Sequence, residues 1–209
     1  MKLREKNLEI LKNNHVYSEE MEHDACGVGV IVSTEGKKSR TIVEYGIEAL
    51  KAVWHRGAVD ADGKTGDGAG IHLEIPKDFF IEKIEVTGHE HDNSEICVGM
   101  IFLPRNDYSA QESCKTIVES ELTKNNFSIY GWRQVPVNPK ILGEKAFQTM
   151  PEIMQVLFKS NDKNLLDKNL ERKIYETRKK IENKAFQLSL NNFYICSISS
   201  KSIIYKGLY

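Results

Sequence analysis

Asp24-Ala25-Cys26-Gly27-Val28-Gly29-Val30-Ile31-Val32 sets one cysteine at the head of a short apolar run. The glycines after it let backbone approach the sulfur, and a short apolar run that closes on the turn residues Ser33-Thr34-Glu35-Gly36 predicts a buried strand over 28–32. Two readings of Cys26 compete. One is a small core hydrophobe entering a strand; the other is a nucleophile placed where glycine leaves the thiol accessible. The surroundings favour the second. Trp54-His55-Arg56-Gly57-Ala58 follows, and then Thr65-Gly66-Asp67-Gly68-Ala69-Gly70-Ile71. A thiol, the Arg56 guanidinium and a permissive loop centred on Gly66, Asp67 and Gly68 are the parts of one small-molecule site.

The bounds set by composition agree with such a site. A chain of 209 residues suits one domain and, at that size, buries roughly 70% of its unfolded surface. Its 29 basic and 30 acidic side chains leave a formal net charge of -1, so no whole-chain field recommends nucleic acid or an anionic membrane as a partner. Cys26, Cys97, Cys114 and Cys196 are far apart and include no C-x-x-C pair. That spacing yields neither a zinc nor an iron–sulfur motif, and no metal site is expected. Separate thiols of this kind suit a reducing, cytoplasmic compartment. The longest apolar runs are far shorter than a membrane span.

Residues 1–25 mix Lys2, Arg4, Lys6 and Lys12 with Glu5, Glu9, Glu19, Glu20, Glu22 and Asp24, without the apolar centre of a secretory signal. Leu3, Leu8, Ile10 and Leu11 suit one helical turn or two, and the segment is expected to be a removable leader. After the strand at 28–32, Ser39 is placed to cap a helix running to Trp54, with Val43, Ile47, Leu50 and Trp54 on its buried face. Arg56 lies at its C-terminal end, where the helix dipole favours a cation, so a purely helix-terminal charge is its competing role. The loop from Asp60 to Gly70 holds four glycines and three aspartates but lacks the preceding strand of a dinucleotide fingerprint and the Lys-Ser/Thr of a phosphate loop.

Residues 71–75 alternate as a half-buried strand with His72 facing out, and a short helix is expected over 78–83. Gly88-His89-Glu90-His91-Asp92-Asn93 gathers metal-capable side chains in a polar turn, for which a solvated loop is the expectation. Strands are predicted at Cys97–Leu103, 127–135, 155–158, 193–197 and 202–205. Helices are predicted at 109–124, using Ile117, Val118 and Leu122, and at 164–183, using Leu166, Leu170, Ile174 and Ile181. Glu176 and Lys180 suggest an i,i+4 pair on a solvated face.

Cys26-Gly27-Val28-Gly29, His55-Arg56-Gly57-Ala58, Thr65-Gly66-Asp67-Gly68-Ala69-Gly70 and Phe193-Tyr194-Ile195-Cys196-Ser197 together resemble the class II glutamine amidotransferase (glutaminase) domain of glutamate synthase large subunits. The resemblance implies an α+β fold of the N-terminal-nucleophile hydrolase type, a four-layer αββα sandwich, of which residues 26–209 would be the N-terminal portion, incomplete at its C-terminus. It implies that Cys26 attacks the side-chain amide of glutamine, forms a thioester and releases ammonia, and that Arg56 holds the α-carboxylate. It implies no cofactor in this segment; FMN and an iron–sulfur cluster would belong to downstream parts of the synthase. Those downstream domains and a small electron-donating subunit are the implied protein partners. The family's Asn-Gly oxyanion pair has no counterpart, since the sequence contains no Asn-Gly. Two alternatives stay open: an inactive remnant serving as a binding or regulatory module, and a different class II amidotransferase, although many of those open at Met-Cys.

Elementary chemistry supports the roles. An ordinary thiol is only a few per cent thiolate at about pH 7 and needs a base beside it. A free α-amine, with a pKa of about 7.7–8.0, can take that proton, and an amide nitrogen cannot. Cys26 must therefore become the first residue. Arg56 suits a carboxylate because its planar fork donates two parallel hydrogen bonds and keeps its charge.

Overall fold

The computed structural model describes residues 2–14 and 27–207. Its elements are α1 (Lys2–Asn14), α2 (Arg40–Ala52), β1 (Ala69–Glu74), α3 (Lys77–Val86), β2 (Cys97–Leu103), α4 (Tyr108–Lys124), β3 (Phe127–Gln134), α5 (Glu144–Thr149), β4 (Glu152–Ser160), α6 (Asp167–Gln187), β5 (Tyr194–Ser199) and β6 (Ser202–Gly207). Short 3-10 turns occupy Trp54–Arg56 and Pro139–Ile141. All strand pairs are antiparallel. One sheet has the order β3-β4-β2-β5, the other pairs β1 with β6.

Strand β2 lies inside the larger sheet, and its side chains alternate between two cores, which is why it reads as an unbroken apolar run. Cys97, Ile101 and Leu103 pack with Cys114, Ile117, Val118 and Leu122 of α4 and with Leu170, Ile174 and Ile181 of α6. Val98 and Met100 pack on the opposite side with Phe80 and Ile84 of α3, Ile75, and Ile203 of β6. The larger sheet is thus covered by α4 and α6 on one face and by α3 and the β1–β6 pair on the other. Two bulges adjust it. Tyr130 is the extra residue between the pairs Ile129↔Phe158 and Gly131↔Leu157, and Cys196 is the extra residue between Met100↔Ser197 and Ile101↔Ile195. Both bulged side chains join the second core.

Gly99 faces Val156 on one neighbouring strand and Ile198 on the other. A Cβ there would stand 2.7 Å from Val156 Cγ1 and 3.6 Å from Ile198 Cδ1. Gly99→Ala is expected to lower unfolding stability by about 1–3 kcal/mol through overpacking, checked by denaturant titration, in spite of alanine's lower backbone entropy.

Several expectations are corrected. Residues 28–32 form no strand: Val28 is 95% and Val30 83% exposed. An apolar run becomes a strand only where a ladder partner and a covering layer meet it, and none of the described residues supplies either. Helix α2 has its N-cap as expected, the Ser39 side chain accepting from Thr41 N at 3.1 Å, but none of its residues is buried. Val43, Ile47 and Leu50 are only half-buried and Trp54 is exposed, because the helix lies along β1 of a two-stranded sheet, its Gly46 against Ile71. Leu166 is an exposed residue at the start of α6. Glu176 pairs with Arg172 at 3.0 Å, while Lys180 reaches Asn125 Oδ1 at 2.6 Å. The helical segment in residues 1–14 runs to 13 residues, longer than expected. Strands β5 and β6, close in sequence, belong to different sheets.

The charged face of α6 is also less uniform than its composition suggests. Its Lys184 forms an ion pair with Glu121 of α4, which is 5% exposed, and this pairing holds the Glu121 carboxyl below its usual range. The i,i+4 and i,i+3 pairs of Glu182 with Arg178 and Lys179 complete the same helix surface.

Candidate functional site

Helix α2 ends at Ala52, and the chain makes a separate 3-10 turn over Trp54–Arg56, closed by Gly57 N donating to Trp54 O at 3.0 Å. Arg56 therefore stands beyond the end of the α-helix, in a turn of its own. Directly after it the backbone is pinned to the glycine-rich stretch: Ala58 N donates to Asp67 Oδ2 at 2.7 Å and Asp67 N donates to Ala58 O at 3.2 Å. Val59 and Gly66 form an antiparallel bridge above this base. The structure thus brings the backbone next to Arg56 together with Gly66 and Asp67, and Gly68 follows them directly in the chain. Cys26 lies outside the described residues, as do residues 15–25 of the expected leader.

The three aspartates of the loop have distinct tasks. Asp67 closes its base. Asp62 organises its tip: Oδ1 accepts from Lys64 N at 2.9 Å and Thr65 N at 2.7 Å, and Oδ2 accepts from Thr65 Oγ1 at 2.5 Å. Those donors hold the Asp62 carboxyl well below the ordinary carboxylate range. Asp60 pairs with Lys145 at 2.6 Å, and that contact lowers its pKa in turn.

Gly68 and the start of β1 open onto a cleft of about 1320 Å³. Its other walls are residues 102–107 at the end of β2, Asn191, Asn192 and Tyr194 before and in β5, Ile204 and Lys206 of β6, and, from the stretch 137–151, residues 137–139, 141, 142, 146 and 148–151. Lys206 Nζ donates to Tyr194 Oη at 2.7 Å, and the Arg105 guanidinium lies 4.8 Å from the Phe147 ring centroid. Apolar walls bearing a few oriented polar groups are the usual makeup of a small-molecule cleft. The stretch 137–151 carries no motif and was not singled out from sequence. Its signals are local: Asn138 caps the Pro139–Ile141 turn through Oδ1 and Lys140 N, and Gly143 begins α5.

None of the described thiols rivals Cys26. Cys97, Cys114 and Cys196 are free and buried. Desolvation pushes the Cys114 thiol up to about 11 and raises those of Cys97 and Cys196, so they stay protonated and inert near neutral pH. His72 is exposed, as expected, and lines the cleft. In the polar turn at 88–94, His89 Nδ1 is 3.0 Å from Thr87 Oγ1, His91 Nε2 is 3.0 Å from Ser94 O, and Asp92 pairs with Lys159 at 2.7 Å. Each of these side chains is engaged with a different neighbour. Among the described residues, no helix is long and apolar enough to cross a membrane.

Comparison with known proteins bears on the same residues. The family model for class II glutamine amidotransferases matches residues 26–209. The large chain of an NADPH glutamate synthase from Azospirillum brasilense is 52% identical over 203 residues, which are 97% of this chain and 13% of that protein. A ferredoxin-dependent glutamate synthase from Pyropia yezoensis is 38% identical over 95% of this chain and 13% of its own length. Ferredoxin-dependent glutamate synthase 1 of Arabidopsis thaliana is 39% identical over 90% of this chain and 12% of its own length. The chain therefore spans about an eighth of these relatives. With the match running through the turn at Arg56, the loop at Gly66–Gly68 and both sheets, the chain belongs to the class II glutamine amidotransferases.

Proposed function

We propose that this chain is the glutaminase part of a glutamate synthase, which hydrolyses glutamine so that the ammonia can serve glutamate formation from 2-oxoglutarate. The observation that carries the reading is that the family match begins at Cys26 itself, the residue that chemistry requires to be first. In this reading the leader 1–25 is removed and the Cys26 α-amine takes the thiol proton. The thiolate attacks the side-chain amide carbon of glutamine, the C–N bond breaks, and the nitrogen leaves as ammonia with the proton from the ammonium. Water then hydrolyses the thioester to glutamate and restores the thiol. The Arg56 guanidinium holds the α-carboxylate, and Gly66–Gly68 let the loop approach the substrate closely.

The layers described above, with α4 and α6 outside the larger sheet, the β1–β6 pair on its other face and α2 along β1, support the four-layer αββα arrangement of N-terminal-nucleophile hydrolases as the fold of the whole domain. FMN and an iron–sulfur cluster are assigned to downstream domains. An electron-donating partner and a cytoplasmic setting belong to the same proposal.

The test is glutamine hydrolysis by a version of the protein extended through the downstream sequence that its relatives share. Cys26→Ala is expected to abolish the reaction. Arg56→Lys should raise KM by roughly 10- to 10²-fold with a smaller change in kcat, since an ammonium replaces only part of a two-pronged donor whose complete loss costs about 2–5 kcal/mol. An unchanged KM would leave Arg56 as a turn-terminating charge.

A further inference from the structure

Helix α5 starts at Gly143, a cap residue with no side chain, so its first-turn N–H groups lack the usual local acceptor. The acceptor comes from the glycine-rich loop instead. Thr65 Oγ1 receives Ala146 N at 3.4 Å across a sequence separation of 81 residues. The absence of a side chain at Gly143 is what makes room for this. A Cβ there would lie 2.6 Å from Asp62 Oδ2 and closer still to Thr65 Oγ1 and Thr65 N. Thr65 is buried, and Lys145 adds its 2.6 Å pair with Asp60 at the rim. The hydroxyl of Thr65 thus occupies the place that a serine cap's own oxygen would take, while donating to Asp62.

We infer that Asp62 and Thr65 are positioning residues, a cap supplied to α5 from a distant loop, which holds the hairpin carrying the backbone next to Arg56 and the Gly66–Gly68 stretch against the wall of the cleft described above, where glutamine would bind on the glutaminase reading. The mechanical path is short. The tip is fixed to α5, the Val59–Gly66 bridge and the Ala58–Asp67 bonds make the hairpin rigid, and its base adjoins Arg56 on one arm and Gly68 on the other. α5 lies in the stretch 137–151 that forms the facing wall. The two walls are therefore set relative to each other by the same latch. Its role in glutamine binding rests on the glutaminase reading; the latch itself does not.

Two measurements separate these halves. Amide hydrogen exchange followed by mass spectrometry reads the latch, and steady-state glutamine hydrolysis by the extended protein reads its use. Thr65→Val, which removes the hydroxyl at nearly constant shape, should speed exchange by about two- to thirtyfold in residues 58–67 and 145–149 together. Gly143→Ala should do the same by crowding the cap out, and Thr65→Ser should restore slow exchange in both segments. In kinetics, Thr65→Val should raise the glutamine KM several-fold with kcat within about twofold, and Thr65→Ser should return KM to the wild-type value. Exchange that rises in only one segment, or in neither, overturns the latch. A joint rise with an unchanged KM overturns the positioning role. If the wild-type extended protein hydrolyses no glutamine, the glutaminase reading fails and the positioning role with it, while the joint exchange response still establishes the latch. Should Gly143→Ala fail to fold, the Val and Ser variants at Thr65 carry the comparison alone.

Discussion

Release of Cys26 from Ala25 is expected to raise glutamine hydrolysis by roughly 10²–10⁴-fold, the range contributed by a positioned general base. The thiol of Cys26 needs a neighbour that can accept a proton near neutral pH. In the uncleaved chain its own nitrogen is an amide, which cannot do so; after cleavage it is an amine with a pKa of about 7.7–8.0, neutral in a usable fraction of molecules. The other thiols offer no substitute, being buried and protonated. The measurement compares the extended protein carrying residues 1–25 with a version whose initiating Met directly precedes Cys26 and is trimmed off, each checked by intact mass and N-terminal sequencing. Equal rates from a population shown to retain residues 1–25 would refute the requirement for a free amine.

The second large effect concerns residues 26–209 by themselves, which are expected to hydrolyse glutamine at least about 10²-fold more slowly than the extended protein. The reason lies in the segment that follows the nucleophile. Val28, Val30 and Val32 are 95%, 83% and 72% exposed, and residues 27–33 have no ladder partner among the described residues. A nucleophile misplaced by about 1 Å loses on the order of 10²-fold in rate, so hydrolysis depends on what pairs with the segment that follows Cys26. Pairing of 28–32 with further strands would bury the three valines and fix Cys26 at once. Hydrolysis by residues 26–209 should therefore approach that of its Cys26→Ala control. A rate equal to the extended protein's would show that the described elements already suffice to place the thiol.

The elements legible in the sequence were those whose pattern is local and whose burial is complete. β2 was read with the observed ends, because a strand between two cores is apolar at nearly every position. The faces of α4 and the inner part of α6 followed from helical spacing, and Ile117, Val118, Leu122, Leu170, Ile174 and Ile181 are all buried. The cap at Ser39 and the exposure of His72 were equally local. The parts of the candidate site, a thiol followed by glycine, an arginine and a glycine-rich loop, were legible as residue types, but their geometry was not.

Geometry needed partners that no short window contains. The apolar run at 28–32 has the composition of a strand, yet backbone hydrogen bonding and a covering layer decide whether it becomes one, and both are nonlocal. α2 carries an apolar stripe that stays half-exposed because only two strands lie beside it. Asp60, Asp62 and Asp67 looked alike in sequence, and only the folded loop distributed them among a contact to Lys145, a tip and a base. Sequence by itself determined which stripes can form a core and where a cysteine, an arginine and a glycine-rich loop stand along the chain. Tertiary structure decided that Thr65 caps a helix begun by Gly143, because that contact depends on empty space at a glycine and on a chain path that closes over 81 residues, neither of which is encoded in either segment alone.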